Sequence, residues 1–220
     1  MKTNRGKLCL SGFFFLLFLL WTIALQFVDV LPIGPNGSQV GFASLNGFFH
    51  GLTGVHMMVY TITDWLGFVP IIFALGFAML GLSQLIKRKS LCKVDADILI
   101  LGGFYIIVMA AYSFFEVFAI NFRPVLINGN LEASYPSSTT LLVLCVMPTA
   151  IMQLRRRMKP SNAKRAVEYM LAGFTVLMVL GRLLSGVHWL SDIVGGMLLS
   201  ESLVLMYASI INWSKGIRRA

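Results

Sequence analysis

Residues 8–27 read LCLSGFFFLLFLLWTIALQF, a continuous apolar run without a charged side chain. A helix that crosses a bilayer needs about 20 mostly apolar residues. Working outward from this run, five further stretches qualify, at 66–86, 98–120, 139–154, 167–184 and 193–212. The composition agrees, because only 12% of the 220 residues are charged, against about 25% in soluble domains. We therefore predict an all-α, polytopic membrane bundle of about six transmembrane helices.

The chain is predicted to form one membrane-embedded domain over residues 1–220, because no polar linker is long enough to separate two domains. The segment Gly51–Trp65 is too polar for a span of its own, and we interpret it as an interfacial or re-entrant helix. The basic residues before the first apolar run also resemble a signal peptide. The run is long for one and no small-x-small cleavage site follows it, which favours an uncleaved first span.

The Lys and Arg residues indicate how the helices are oriented. All of them except Arg123 and Arg182 lie before the first span, on alternate connections or after the last span. These residues are Lys2, Arg5, Lys7, Lys87, Arg88, Lys89, Lys93, Arg155, Arg156, Arg157, Lys159, Lys164, Arg165, Lys215, Arg218 and Arg219. Because positive residues near span ends stay in the cytoplasm, both termini are predicted to be cytoplasmic. The net charge of +9 is then a topology signal that also suits anionic headgroups, and no nucleic-acid partner is expected.

The first polar cluster is GRLLSGVHWLSD, residues 181–192. His188 and Asp192 are four residues apart, which would place them on one helix face. Asp192 would then fix the tautomer of the imidazole and leave the other ring nitrogen as nucleophile or base. A break at Ser185–Gly186 would return Arg182 to the same place. The alternative is an ordinary interfacial His–Asp pair.

The second cluster is SYPSSTT, residues 134–140, directly before the fourth span. Pro136 suits a first helical turn, and small hydroxylic residues suit a helix cap. A helix start presents unpaired N–H groups and the positive end of the helix dipole, which together favour phosphate binding. The alternative is a plain helix cap.

The third cluster is EVFAINFRP, residues 116–124, in which Pro124 is predicted to end the third span. Arg123 would then lie at the end of the helix, where it either binds phosphate through its planar guanidinium or simply extends to the interface. Glu116 would share a helix face with Arg123, either as its structural ion-pair partner or as a contact for a cationic headgroup amine. Two arginines, a helix start and an oriented histidine on one side of the membrane suit phosphoryl transfer.

Together the three clusters resemble the type 2 phosphatidate phosphatase superfamily, which includes bacterial acid phosphatases and vanadium haloperoxidases. Its pattern is Lys-x6-Arg-Pro, then Pro-Ser-Gly-His, then Ser-Arg-x5-His-x3-Asp. The matching residues here are Arg123, Pro124, Pro136, Ser137, Arg182, His188 and Asp192. The resemblance implies a reaction without metal or cofactor in which His188 attacks phosphorus and forms a phosphohistidine. It also implies a phosphate site made by Arg123, Arg182, Ser137, Ser138 and Thr139.

Two positions depart from this pattern. The lysine of the first motif is Glu116 here, and the histidine of the second motif, which protonates the leaving group, is Thr139. A threonine hydroxyl does not titrate near neutral pH and cannot replace that acid. Three explanations stay open: a substrate with a good leaving group such as a diphosphate, another acid (Glu116, His50 or His56), or a phosphate-binding pocket that no longer catalyses.

The function predicted from the sequence is removal of phosphate from a lipid or polyprenyl monophosphate or diphosphate. The active site is predicted to face the exterior of the plasma membrane. Two alternatives are a transferase that passes the phosphoryl group or phospho-headgroup to an acceptor, and a lipid-phosphate-binding protein without turnover.

Overall fold

The computed structural model describes residues 2–217, with side chains over residues 4–214. The described chain forms eight α-helices and two short 3₁₀ turns, at Pro35–Gly37 and Leu91–Lys93. The helices are α1 (Lys2–Phe27), α2 (Ala43–Thr53), α3 (Met57–Leu66), α4 (Phe68–Arg88), α5 (Ala96–Val117), α6 (Ser138–Arg157), α7 (Asn162–Leu184) and α8 (Leu190–Ile217).

Within the described residues, six helical segments are long and apolar enough to cross a membrane. They are Asn4–Phe27, Met57–Arg88, Ala96–Val117, Ser138–Arg157, Asn162–Leu184 and Leu190–Ser214. The predicted all-α fold with six spans is therefore confirmed, and the protein is an integral membrane protein.

Residues 57–65 are helical, and their interfacial or re-entrant location stays a prediction. They belong to α3, which continues into α4 across Gly67, and together these helices form the second candidate span. Asp64 lies near the end of α3, and Nη1 of Arg182, on α7, lies 3.5 Å from its carboxylate.

Two helix ends differ from the prediction, and both matter for the site. Helix α5 ends at Val117, so Pro124 does not end it and Arg123 lies in the following loop. Helix α8 begins at Leu190, so His188 lies before the helix and not on its face. The polar clusters are therefore placed by loops and helix starts.

Helix α8 lies at the centre of the bundle and packs against α1, α5, α6 and α7. Ser11 and Ser202 exchange reciprocal hydrogen bonds from each hydroxyl to the other's carbonyl, at 2.8 and 3.0 Å, which draws α1 against α8. Gln153 of α6 donates to the hydroxyl of Tyr207 of α8 at 2.7 Å. Small and polar residues at such contacts are typical of helix packing in membranes. These contacts hold α8 against α1 and α6.

The connections fall into two groups at opposite ends of the bundle. Residues 28–56, 118–137 and 185–189 share the end that carries the polar clusters. At the other end, Arg88 pairs with Asp95 at 2.8 Å and Arg157 pairs with Asp97 at 2.9 Å. Arg218 and Arg219 lie outside the described residues, as do the side chains of Lys2 and Lys215. The cytoplasmic location of the termini stays a prediction.

Candidate active site

A tight turn brings Arg182 and His188 together. Helix α7 ends at Leu184, and Gly186 follows with a φ of +67°, a conformation that residues with a side chain rarely adopt. A Cβ atom on Gly186 would lie 1.8 Å from the carbonyl oxygen of Gly54. The turn is also fixed by the N–H of His56, which donates to the Ser185 carbonyl at 2.9 Å. Only glycine therefore fits where this turn meets the link between α2 and α3.

Two guanidinium groups converge on one ring nitrogen of His188. Nη1 of Arg123 lies 3.3 Å and Nη2 of Arg182 lies 3.2 Å from Nε2. A guanidinium only donates hydrogen bonds, so Nε2 is assigned as the acceptor and Nδ1 carries the proton. All three side chains are buried. Burial and then the two positive charges hold the pKa of His188 well below its usual value of 6.5, so the imidazole is neutral and its Nε2 lone pair faces both arginines.

On the other side of the ring, Ser134 lies between His188 and Asp192. Its Oγ is 3.1 Å from Nδ1 of His188, and its hydroxyl donates to Oδ2 of Asp192. The direct distance from Nδ1 to Oδ2 is 3.9 Å, too long for a hydrogen bond. The predicted direct contact between His188 and Asp192 is therefore wrong, because α8 begins only at Leu190. Ser134 was missed as a site residue, although it opens the second polar cluster.

Asp192 is fully buried in the first turn of α8. Besides Ser134, its carboxylate accepts the backbone N–H of Trp189 at 2.9 Å and Nδ2 of Asn121 at 3.2 Å. A third-position acid that accepts the N–H of the residue before the helix makes one of the two hydrogen bonds of a capping box. Three donors fix the carboxylate and compensate the cost of burying its charge.

Each arginine of the site has an acidic neighbour. Oε2 of Glu132 lies 3.1 Å from Nε of Arg123, although the N–H is not aligned with it as a hydrogen bond. Oδ1 of Asp64 lies 3.5 Å from Nη1 of Arg182. The ring of Tyr60 lies 5.7 Å and 4.9 Å from the guanidinium carbons of Arg123 and Arg182, within the range of cation–π contacts.

These neighbours correct two expectations. The predicted pairing of Glu116 with Arg123 is wrong, because α5 ends at Val117 and the loop places Glu132 against Arg123. Arg123 and Arg182 are 7% and 1% exposed, so they do not extend to the interface. Tyr60 and Asp64 were also missed, because their helix is far from the motifs in sequence.

A small cleft opens beside the imidazole. Its lining includes Tyr112 and Glu116 of α5, Ser138 at the start of α6, and His188. Ser137 is fully buried, and its N–H donates to the carbonyl of Asp192 at 3.1 Å. This N–H is therefore not free to bind a ligand. This contact joins the start of α6 to the start of α8.

The remaining predicted candidates lie outside the lining of this cleft. The methyl group of Thr139 points towards Gly67. It lies 3.7 Å from the position that a Cβ atom on Gly67 would occupy. Nε2 of His56 lies 2.8 Å from the carbonyl of Thr53. The ring centroids of His50 and Trp189 are 5.4 Å apart. Partial burial lowers the pKa of His50. Within the described residues, no three His, Cys, Asp or Glu side chains are grouped to hold a metal ion.

An apolar groove of about 770 Å³ runs between α4 and α5, with residues of α6 at its floor. Its lining includes Pro70 and Ile71 near one end and Leu91 and Val94 near the other. Tyr112 lines both this groove and the cleft beside His188. The groove and the polar site are therefore adjacent.

Comparison with known proteins agrees with this arrangement. A model of the PAP2 superfamily matches residues 97–215, more than half of the chain and all three polar clusters. The crystal structure of a transmembrane PAP2-type phosphatidylglycerolphosphate phosphatase from Bacillus subtilis is similar in fold. The TM-score is 0.60 with 17% sequence identity, over 92% of this chain and 96% of that one. No curated protein sequence matched this chain.

Proposed function

The chain belongs to the PAP2 superfamily, and from that premise we propose that it is a lipid phosphatase that uses His188 as its nucleophile. The observation that carries the proposal is the position of Nε2 of His188, within 3.3 Å of nitrogen atoms of both Arg123 and Arg182. A nucleophile that faces two buried cations suits the attack on a phosphate, whose negative charge would otherwise repel it. The substrate is a lipid or polyprenyl monophosphate or diphosphate.

In the first step, the N–H groups of Arg123 and Arg182 bind the phosphate oxygens. The lone pair of Nε2 attacks phosphorus, the bond to the lipid oxygen breaks, and the imidazole becomes positively charged. Ser134 relays the hydrogen bond from Nδ1 to the carboxylate of Asp192, which stabilises that charge. In the second step, water attacks phosphorus, inorganic phosphate leaves, and neutral His188 is restored.

The start of α6 supplies further donors to the phosphate. The backbone N–H groups of the first helical turn have no partner within the helix, and the helix dipole favours an anion there. We assign this role to Ser138, which lines the cleft with His188. Ser137 instead has a structural role, because its N–H is bonded to Asp192.

The apolar groove supports a substrate with a long chain. It adjoins the cleft at Tyr112, so a phosphate held at His188 would leave its chain next to an apolar surface between α4 and α5. Because the chain of a membrane lipid already lies in hydrocarbon, contact with this groove would orient the chain and not remove it from water. A phosphate ester without an apolar chain would make no contact with this groove.

The site is proposed to face the exterior of the plasma membrane. It lies at the opposite end of the bundle from the connections that carry Arg88 and Arg157. Basic residues at span ends mark the cytoplasmic side. The substrate would then be a lipid of the outer leaflet.

Release of phosphate from a panel of monophosphate and diphosphate lipids by the purified protein tests the proposal. Turnover is expected with at least one lipid and is abolished in His188→Ala, whose folding is checked by thermal unfolding. Unchanged turnover in His188→Ala would contradict the proposal. Product that appears only when an acceptor lipid is added would instead identify a transferase, and binding without turnover would identify a lipid-phosphate-binding protein.

A further inference from the structure

We propose that the carboxyl group of Glu116 is the general acid of the reaction, an inference that rests on the proposed function. The oxygen of a lipid alcohol is a poor leaving group unless it is protonated as the bond to phosphorus breaks. Thr139 cannot supply this proton near neutral pH. The site therefore needs another acid close to His188.

The imidazole, the Asp192 carboxylate and the two arginines of the site cannot supply this proton. Nδ1 of His188 is bonded to Ser134, and Nε2 is the attacking atom. Asp192 accepts hydrogen bonds from three donors and is fully buried. The arginines do not lose a proton in proteins.

Glu116 differs from the other carboxylates around the site. Glu132 lies against Arg123 and Asp64 against Arg182, whereas no ion pair within 4.0 Å is found for Glu116 among the described side chains. Glu116 lines the same cleft as His188, and its side chain is exposed. An unpaired carboxyl group in the cleft can lose a proton to substrate and regain one from water.

The location of Glu116 also matches the position of the leaving oxygen. Glu116 lies one helical turn after Tyr112 on α5, and Tyr112 lines both the cleft and the apolar groove. In a bound lipid phosphate, the bridging oxygen joins the phosphate to the apolar chain. Glu116 therefore lies where that oxygen is expected.

Two charged groups of opposite sign surround Glu116. Arg123 and Glu132 are the charged groups whose fields act on it, and they are opposite in sign. Tyr112, on the same helix, is the nearby phenol. His188 faces the same cleft in its neutral form.

The proposed proton transfer is balanced over the two steps. As the bond from Nε2 of His188 to phosphorus forms and the bond to the lipid oxygen breaks, the carboxyl proton of Glu116 moves to that oxygen and gives the free lipid alcohol. In the second step, the Glu116 carboxylate takes a proton from the attacking water while the bond between nitrogen and phosphorus breaks. Inorganic phosphate leaves and the carboxyl group is restored.

Two esters with different leaving groups test the assignment in the purified full chain. A long-chain alkyl phosphate needs protonation of its leaving oxygen, whereas para-nitrophenyl phosphate releases a stable anion. In Glu116→Gln, kcat on the alkyl ester is expected to fall by about 10²-fold, the usual contribution of a general acid. The loss on the para-nitrophenyl ester is expected to be far smaller. Equal losses on both esters, or none on the alkyl ester, would overturn the assignment.

A conservative variant and a matched control complete the experiment. Glu116→Asp keeps a carboxyl group and is expected to hydrolyse the alkyl ester faster than Glu116→Gln does; equal rates would count against the acid. Glu201 is an exposed carboxylate on α8, and Glu201→Gln is expected to leave both activities unchanged. Wild-type protein inactive on every ester would refute the proposed function, whereas an active wild type with an unaffected Glu116→Gln would refute this inference alone.

Discussion

Nδ1 of His188 and Oδ2 of Asp192 are 3.9 Å apart, and the hydroxyl of Ser134 joins them. The carboxylate thus orients the imidazole through a second hydrogen bond. The relay is formed by three parts of the chain: the loop before α6, the turn before α8 and the first turn of α8. Its integrity depends on the packing of α6 against α8.

Ser134→Ala is expected to lower kcat, because the N–H of His188 Nδ1 would lose its acceptor in a buried site. An unsatisfied buried donor costs about 1–3 kcal/mol, which corresponds to a loss of about 5- to 150-fold in rate if it is felt in the transition state. Steady-state kinetics on a lipid phosphate measure the effect. Ser209→Ala is the control, since that hydroxyl bonds only its own helix at Leu205. Wild-type kcat in Ser134→Ala would show that the relay has no catalytic role.

Arg182→Lys is expected to reduce kcat/KM by about 10²-fold, comparable to the removal of one donor to a developing oxyanion. Lysine keeps the positive charge but lacks the planar group that contacts His188 and packs on Tyr60. Arg155→Lys, at the opposite end of the bundle where Arg155 pairs with Glu168 at 3.0 Å, is the matched control. Equal kcat/KM in Arg182→Lys and wild type would mean that charge alone suffices.

The value of kcat/KM is expected not to fall as the pH is lowered through 6.5, the usual pKa of a histidine side chain. Burial and two cations hold the pKa of His188 well below 6.5, so the neutral nucleophile persists as the pH falls through that value. The protonated, inactive form accumulates only at lower pH. The measurement is a profile from about pH 4.5 to about pH 8, corrected for the substrate phosphate, which itself titrates near pH 6. A loss of activity centred at or above pH 6.5 that is caused by protonation of His188 would contradict the lowered pKa.

Gly186→Ala is expected to destabilise the protein and to abolish most activity. The positive φ costs about 1–2 kcal/mol for a residue with a Cβ, and that Cβ would clash with the carbonyl of Gly54. The turn would shift and separate Arg182 from His188. Gly173→Ala, within α7, has nothing within 4 Å of its Cβ position and serves as the control. Thermal unfolding and kinetics measure both variants, and full activity in Gly186→Ala would show that the turn does not position the site.

The apolar runs predicted the six spans because burial in a bilayer requires nearly continuous apolar sequence. Motif spacing also selected Arg123, Arg182 and His188, which the structure brings together. Helix ends were harder to predict. Because α5 ends at Val117 and α8 begins at Leu190, expectations based on a shared helix face failed for Glu116 and for Asp192. Tyr60 and Asp64 come from a distant helix, and their contact with Arg182 arises only in the folded chain.

Covalent labelling of His188 tests the central claim most directly. Purified protein is mixed with a lipid phosphate that carries radiolabelled phosphorus, quenched rapidly under alkaline conditions that preserve phosphohistidine, and mapped by peptide. We predict label on the peptide that contains His188 in the wild type and no label in His188→Ala. Turnover in the wild type without label at His188, or unchanged turnover in His188→Ala, would contradict the account.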